Sequence, residues 1–283
     1  MSTKQEKNII FVCGLHRSGT TLLTKILSTH PEISGFSGTG VSMDEGQHLQ
    51  SVLPPDYYLG GPGRFAFHKH GHLTENSFFS RPENREKLMA EWSEHWDLSK
   101  KFLLEKSPPN LIRARLLQKF FPTARFIFII RHPVASSYAT IKFKRGLPFS
   151  FILWHWLVSH EFMLNDLHYL KNFYILHYEE FVSKPEDSLK KISNFLNLTH
   201  TQFTYDLNQI DNNVNTKYFR EWFKFSTSFR KYMQSLFERR CRVFGYSLKN
   251  LYSYDTIDLG KRPKQYDYYI GKILNVTLLV FGK

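Results

Sequence analysis

A short apolar run, a loop bounded by two glycines and a helical pattern follow one another near the start of the chain. Residues 8–13 (NIIFVC) form a continuous apolar run of strand length, which is typical of a strand buried on both faces of a parallel sheet. Residues 14–19 (GLHRSG) follow, and leucine and isoleucine then recur at helical spacing over residues 20–29. A glycine-bearing turn between strand and helix directs backbone N–H groups towards one point, at the positive end of the helix dipole. This segment therefore predicts an α/β fold with an anion-binding loop.

The rest of the chain repeats the alternation of strand and helix patterns. Apolar runs at residues 102–105, 126–130 and 173–177 predict further strands. Helical spacing predicts helices over residues 83–96, 111–121, 134–143, 150–170 and 226–244, and one that begins at Pro185. Strands that alternate with helices favour a three-layer architecture, in which a central parallel sheet carries helices on both faces.

No internal repeat and no low-complexity linker divides the sequence, so residues 1–283 are expected to form a single domain. Its recognisable core covers about residues 9–198, and residues 199–283 form a C-terminal extension of helical and irregular structure whose role stays open. Residues 35–72 are rich in Gly, Ser, Pro and His and show no periodicity. A loop of that length within a compact domain is usually functional.

The glycine loop departs from that of nucleoside triphosphatases at one position. Its spacing matches G-x-x-x-x-G, but Thr20 follows Gly19 where those enzymes place the lysine that reaches the outer phosphates. The strand at 126–130 also ends in Arg131, where such enzymes offer a carboxylate to Mg²⁺. The combination favours a group transfer without a metal. A small-molecule phosphotransferase with a degenerate loop is the alternative within the transferases.

Arg131 supplies a second candidate anion contact. It stands at the carboxyl end of its predicted strand, where ligands of open α/β sheets bind. Its guanidinium can donate two parallel hydrogen bonds to a phosphate. Together with the glycine loop, Arg131 predicts two separate phosphate sites, one at each strand end.

The charge balance also implies an anionic partner. Thirty-eight Lys and Arg face 25 Asp and Glu, a formal net charge of +13. A basic nucleic-acid-binding protein is the non-enzymatic alternative, but no recognition motif of interleaved aromatic and basic residues supports it. The chain opens on polar residues rather than an apolar leader, and the late apolar run at 273–281 is too short to cross a bilayer. With two cysteines, a cytoplasmic protein without stable membrane insertion is expected.

Four segments carry a family resemblance. Residues 11–31 (FVCGLHRSGTTLLTKILSTHP) and 126–138 (FIFIIRHPVASSY) resemble the 5′-phosphosulfate loop and the 3′-phosphate motif of sulfotransferases that use 3′-phosphoadenosine 5′-phosphosulfate (PAPS). Residues 105–108 (EKSP) and 176–181 (LHYEEF) are also similar to that family. The resemblance covers about residues 9–198 and is closer to the bacterial and protein-tyrosine branches. The Gly-rich basic motif of the cytosolic steroid and phenol sulfotransferases is not visible.

The resemblance implies a P-loop-like sulfotransferase fold, a PAPS-dependent sulfotransferase activity (EC 2.8.2.-) with PAPS as the sulfuryl donor and no metal. It also implies a set of residues on the nucleotide. The 5′-phosphosulfate would be held by Arg17, Ser18, Gly19, Thr20 and Thr21. Arg131 would bind the 3′-phosphate and Tyr178 the adenine. The family's serine usually lies eight residues after the arginine, which is Ala139 here. Ser137 is the nearest hydroxyl, and which hydroxyl supports Arg131 stays open.

The catalytic residues are inferred from the same resemblance. Arg17 and Lys106 are the candidates to stabilise charge on the leaving oxygen. Many cytosolic members place a histidine base two residues after the matching lysine, but this chain has Pro108 there. The protein-tyrosine branch uses a glutamate in the loop after the first helix, which points to Glu45 as the general base. His48 is the alternative, because imidazole exchanges protons near neutral pH.

The predicted reaction is therefore sulfuryl transfer to a hydroxyl or an amine. The acceptor can be a small molecule, a carbohydrate or a peptide, and nucleic acid is not expected as a partner. The residues do not identify the acceptor, and the oligomeric state is equally open.

Overall fold

Five parallel strands form the sheet in the part of the chain that the structure, a computed structural model, describes: residues 7–199 and 203–257. The strands are β1 Asn8–Cys13, β2 Ile33–Gly35, β3 Phe102–Lys106, β4 Arg125–Ile130 and β5 Phe173–His177. Their order in the sheet is β2-β3-β1-β4-β5. The first strand therefore lies between β3 and β4, and the chain moves to opposite sides of it in its two halves. Open α/β sheets bind their ligands where the strand order switches in this way.

Helices cover both faces of this sheet. Their bounds are α1 Thr20–Leu27, α2 Pro82–Ser93, α3 Ala114–Phe120, α4 Pro133–Phe143, α5 Phe149–Asp166, α6 Tyr178–Ser183, α7 Pro185–Leu196, α8 Thr216–Lys224 and α9 Thr227–Val243. The core has two parts because successive strand side chains point to opposite faces. Phe11 and Phe128 belong to the cluster with α3, α4 and α5, whereas Val12 and Ile129 pack with α1, α6 and α7.

The predicted fold class is confirmed, and most predicted elements lie within a few residues of their expected bounds. Sequence reasoning missed β2, α6 and α8 because each is short and none shows a long apolar run. Residues 35–72 contain several short 3-10 turns and no α-helix, which agrees with the expected irregular segment. Among the described residues, no helix is both long and apolar enough to cross a bilayer. The run at 273–281 lies outside the described residues.

The parallel register brings four strand ends to one edge of the sheet. Val12 pairs with Lys106, Cys13 with Phe128, and Ile130 with His177. The residues that follow β1, β3, β4 and β5 are therefore neighbours in space, although the chain separates them widely. These residues begin at Gly14, Ser107, Arg131 and Tyr178, and they include most of the predicted site.

Candidate active site

The glycine loop between β1 and α1 is held in a left-handed turn. Arg17 has φ 66° and Gly19 has φ 104°, a region that residues with a side chain rarely adopt. The Ser18 N–H donates to the Leu15 carbonyl at 3.1 Å, which closes the turn. Ser18 is buried, and its Oγ has no hydrogen-bond partner. A buried hydroxyl without a partner is costly, so this atom is available to a ligand in the loop.

Both glycines of the loop are required by close packing. A Cβ on Gly14 would lie 2.7 Å from the Ile129 carbonyl oxygen, and a Cβ on Gly19 would lie 2.5 Å from the ring of Tyr178. The loop is thus wedged between β4 and the start of α6. His16 anchors it on the other side, because its Nε2 lies 3.0 Å from an Asp56 carboxylate oxygen.

Arg131 lies beside this loop. Its Nη1 donates to the Arg17 carbonyl at 2.7 Å, and its Nε and Nη2 donate to Asn215 Oδ1 at 2.8 and 2.7 Å. Its guanidinium carbon stands 4.4 Å from the centre of the Tyr178 ring, a cation–π contact. The structure therefore brings the predicted 5′-phosphosulfate loop, 3′-phosphate arginine and adenine-contacting tyrosine into one cluster.

Lys106, at the end of β3, contacts one candidate base, Glu45, which in turn lies beside the other, His48. Its Nζ donates to Glu45 Oε1 at 2.9 Å and to the Met43 carbonyl at 3.1 Å. The His48 Nε2 lies 3.8 Å from the other oxygen of Glu45. Lys106 is 2% exposed and Glu45 is 8% exposed, so the ion pair is almost fully withdrawn from water. For a buried ion pair, close approach and further hydrogen bonds must offset the cost of removing both charges from water.

The segment that carries Glu45 is tied to β3 and α2. The Gln47 N–H donates to Ser107 Oγ at 2.8 Å, and Trp92 Nε1 donates to the Gly46 carbonyl at 2.9 Å. A Cβ on Gly46 would lie 2.4 Å from the carboxylate of Glu105, so only glycine allows this approach. Glu45 is therefore held rigidly in front of Lys106, although it belongs to an irregular segment.

Glu105 is a second carboxyl group behind this pair. Burial raises its pKa from 4.5 to about 7, and this outweighs the hydrogen bonds from Ser107 and Asn110 and the charge of Lys106, which act in the opposite direction. The nearby charge of Glu45 raises its pKa further.

A cleft of about 410 Å³ opens beside Lys106, between α1 and the segment after β2. Its lining includes Thr21 and Lys25 of α1, together with Met43, Asp44 and Lys100. Lysines and hydroxyl groups share this wall with Ile33, Phe36 and Met43, so the cleft is partly polar and partly apolar. It is large enough for part of a small ligand.

The statistical model of the sulfotransferase family matches residues 9–202. The chain belongs to the sulfotransferase family. A Caenorhabditis briggsae protein, named as a candidate protein-tyrosine sulfotransferase, is 26% identical over 77% of this chain and 81% of its own length.

Two solved sulfotransferase structures share the fold. The sulfotransferase from Alicyclobacillus acidocaldarius superimposes with a TM-score of 0.52 at 16% identity, covering 83% of this chain and 94% of its own. The sulfotransferase domain of the Synechococcus PCC 7002 olefin synthase gives a TM-score of 0.52 at 17% identity, covering 86% of this chain and 97% of its own. At these identities the likeness shows only that the architecture is shared.

Ser137 forms no hydrogen bond with the other predicted nucleotide residues. It is buried on α4, its Oγ has no hydrogen-bond partner, and no hydrogen bond joins it to Arg131. It lines a small cavity with His16 and Trp156, and Arg131 is not part of that lining. Its role at the 3′-phosphate stays a prediction, and the geometry offers no direct support for it.

Three residues of the cluster escaped sequence reasoning. Glu179 accepts from the His132 N–H at 2.9 Å, from Asn215 Nδ2 at 2.7 Å and from the Tyr246 hydroxyl at 2.6 Å. Glu179 thus connects β4, α6 and the C-terminal part of this sulfotransferase. Glu179 lies within the family-like LHYEEF segment, which could have drawn attention to it. Nothing in the local sequence distinguishes Asn215 or Tyr246.

Replacing Gly19 by Ala is expected to destabilise the loop strongly. The new Cβ meets the Tyr178 ring at 2.5 Å in a backbone conformation with φ 104°, and the two costs together amount to about 3 kcal/mol. Gly38→Ala is the matched control, because Gly38 has φ 66° but no heavy atom within 4 Å of its Cβ position. Urea denaturation measures both variants. Equal losses of unfolding free energy in the two variants would contradict the packing explanation.

Replacing Glu105 by Gln is expected to remove a pH dependence of stability. The pKa of Glu105 is about 7 in the folded state and 4.5 in the unfolded chain. Its contribution to the stability of the fold is therefore complete below pH 4.5 and is lost as the pH rises towards 7. The shift corresponds to about 3 kcal/mol. Gln fills the same volume and can still bond to Ser107 and Asn110. Denaturation at pH 5 and at pH 8 tests this. The free energy of unfolding of the wild type, minus that of the variant, should be smaller at pH 8 than at pH 5. A difference that is independent of pH would refute the assignment.

Proposed function

We propose that this sulfotransferase transfers a sulfuryl group from PAPS to a hydroxyl or amine acceptor. The observation that carries the proposal is the cluster at the carboxyl ends of β1, β3 and β4. There Arg131 bonds to the glycine loop, and Lys106, which bonds to Glu45, lines a cleft together with Thr21 at the start of α1. The motifs at residues 11–31 and 126–138, which resemble those of PAPS-dependent enzymes, support the identity of the donor.

The residues present fit a nucleotide with a sulfated phosphate. The loop leaves the buried Ser18 Oγ without a partner, and the absence of side chains at Gly14 and Gly19 allows its close packing against Ile129 and Tyr178. Backbone N–H groups at the start of α1, from Gly19 to Thr21, belong to the positive end of the helix dipole. Arg17, Ser18, Gly19, Thr20 and Thr21 would hold the 5′-phosphosulfate.

The other end of the nucleotide has its own candidates. Arg131 has N–H groups to spare for a 3′-phosphate, and the buried ring of Tyr178 lies against it. The Tyr178 ring also packs against Gly19, so one aromatic ring borders both proposed phosphate sites. Base stacking on such a ring is a common source of nucleotide affinity.

PAPS supplies an electrophilic sulfur, whose bond to the phosphate oxygen breaks as a bond to the acceptor oxygen or nitrogen forms. Glu45 would take up the proton that the acceptor loses. Lys106 and Arg17 would stabilise the negative charge that develops on the leaving phosphate oxygen. The third N–H of Lys106, beyond those given to Glu45 and Met43, is available for this role.

The acceptor would enter through the cleft beside Lys106. Thr21 and Lys106 line this cleft, so a group placed there adjoins both the glycine loop and the Glu45–Lys106 pair. The lining offers serine and threonine hydroxyls and lysines as well as Phe36, so a polar group of the acceptor could form hydrogen bonds near the reaction centre. Small-molecule, carbohydrate and peptide hydroxyls all satisfy that condition.

Calorimetric titration with 3′,5′-adenosine bisphosphate (PAP), the product nucleotide, tests the proposal. We expect binding that EDTA does not change. A parallel titration with ATP and Mg²⁺ examines the phosphotransferase alternative, and retention on single-stranded DNA at rising salt examines the nucleic-acid alternative. Absence of heat with PAP would overturn the proposed function.

A further inference from the structure

Arg131 donates three hydrogen bonds to groups within the protein. A guanidinium has five N–H groups in one plane. The Nε–H and one Nη2–H donate to Asn215 Oδ1, and one Nη1–H donates to the Arg17 carbonyl. Two N–H groups remain, one on each terminal nitrogen. The direction in which these two point is therefore set by Asn215 and by the loop backbone.

The orientation of Asn215 is determined by its neighbours. Arg131 can only donate and the carboxylate of Glu179 can only accept. The amide of Asn215 therefore presents Oδ1 to Arg131 and Nδ2 to Glu179, at 2.7 Å from Glu179 Oε1. Glu179 is held in turn by the His132 N–H and by the Tyr246 hydroxyl. Asn215 is 9% exposed, so water does not compete freely for these bonds.

Two lysines share the Tyr218 ring with Arg131. Its guanidinium carbon lies 5.4 Å from the ring centre of Tyr218, and the amines of Lys142 and Lys217 lie 5.4 and 5.2 Å from the same ring. Within residues 7–199 and 203–257, neither lysine forms an ion pair. Helix α8 and the residue before it thus bring a fixed amide and a further cation to the arginine.

We propose that Asn215 is a positioning residue for recognition of the 3′-phosphate, acting through Arg131. It lies outside the family match, which ends at residue 202, and the resemblance of the sequence did not include it. By holding two of the five N–H groups, Asn215 turns the remaining pair outwards as a preformed donor fork. Preformed donors bind an anion more tightly than donors that must be ordered during binding. The inference rests on the proposed function, because it presumes a nucleotide with a 3′-phosphate.

The test compares PAP with AMP, which lacks only the 3′-phosphate. Calorimetry is performed on wild type, on Asn215→Ala and on Asn213→Ala, whose exposed side chain lies in the same segment. We expect Asn215→Ala to weaken PAP about tenfold or more while AMP affinity stays within about twofold. The affinity ratio should be unchanged in Asn213→Ala. A purely structural role would weaken both nucleotides together.

Asn215→Asp keeps the volume and is the second variant if the alanine variant does not fold. Its carboxylate would pair with Arg131 and repel a phosphate, so PAP affinity should fall while AMP affinity is retained. A PAP to AMP ratio within twofold of wild type, in whichever variant folds, overturns the inference alone. A wild-type protein that binds PAP no better than AMP overturns the 3′-phosphate assignment itself, and one that binds neither overturns the proposed function.

Discussion

Replacing Glu45 by Gln is expected to lower kcat about 10²–10³-fold while PAP binding changes little. Gln keeps the volume and an oxygen for the Lys106 amine, which lies 2.9 Å from Glu45 Oε1 in the wild type, but it cannot take up a proton. The magnitude is that of a lost general base. Turnover is measured as PAP release with an acceptor that the wild-type protein sulfates, and PAP affinity by calorimetry.

His48→Gln distinguishes the two candidate bases. His48 lies 3.8 Å from the carboxylate of Glu45, so either side chain could accept the proton of a bound acceptor. If Glu45 is the base, kcat of the His48 variant should remain within about threefold of wild type, because His48 then only borders the carboxylate. Full activity of Glu45→Gln together with a large loss in His48→Gln would assign the base to His48 instead.

Replacing Lys106 by Met is expected to lower kcat by a comparable factor, about 10²–10³-fold. The methionine removes the cation that would stabilise the leaving oxygen, and loss of one donor of this kind has such an effect. It also leaves Glu45, which is 8% exposed, without its partner. A buried charge without a partner destabilises a protein by about 3–5 kcal/mol. Thermal unfolding therefore accompanies the kinetics, which are measured well below the melting temperature.

Lys101→Met provides the matched control for Lys106→Met. Lys101 precedes β3 and pairs with Glu32 at 2.8 Å, but its side chain is 44% exposed and does not line the cleft. Exposed pairs contribute little to stability, so both kcat and the melting temperature should stay near wild type. If Lys106→Met loses stability but keeps the wild-type kcat at low temperature, Lys106 is structural and not catalytic.

The two pairs of variants also separate the functions of the cluster. Glu45 and Lys106 are in contact, so their effects on kcat are expected to be non-additive. The double variant should lose less than the product of the two single losses. Variants of Asn215 are expected to act on recognition of the 3′-phosphate instead, so their effect should appear in the affinity for PAP.

Much of the fold could be predicted because its signals are local. The strand at 8–13, the glycine loop and the helix that follows lie within about twenty residues, and the apolar run at 126–130 marks a buried strand by itself. Parallel strands place their carboxyl ends at one edge, so two phosphate sites at strand ends could be predicted, whereas the direct contact between Arg131 and the loop is known only from the structure. The short strand β2 and the helix α8 escaped because their burial depends on neighbours distant in the chain.

The candidate site was predictable only in part for the same reason. Glu45 and Lys106 were chosen from a resemblance, but the contact between them spans 61 positions in the chain. Asn215 lies 84 positions from Arg131, in a polar segment with no motif. Ser137 was the nearest hydroxyl in sequence, yet its position on α4 directs it to a cavity that Arg131 does not line.

The amino-acid sequence by itself determined the α/β class, the anion-binding loop and the arginine at the end of the fourth strand, because backbone geometry and burial patterns act over a few residues. The tertiary structure alone decided how Glu45 faces Lys106, why Glu105 titrates near neutrality and which amide holds Arg131. These properties depend on burial and on hydrogen bonds between distant segments, and only the packing of the sheet against its helices creates them.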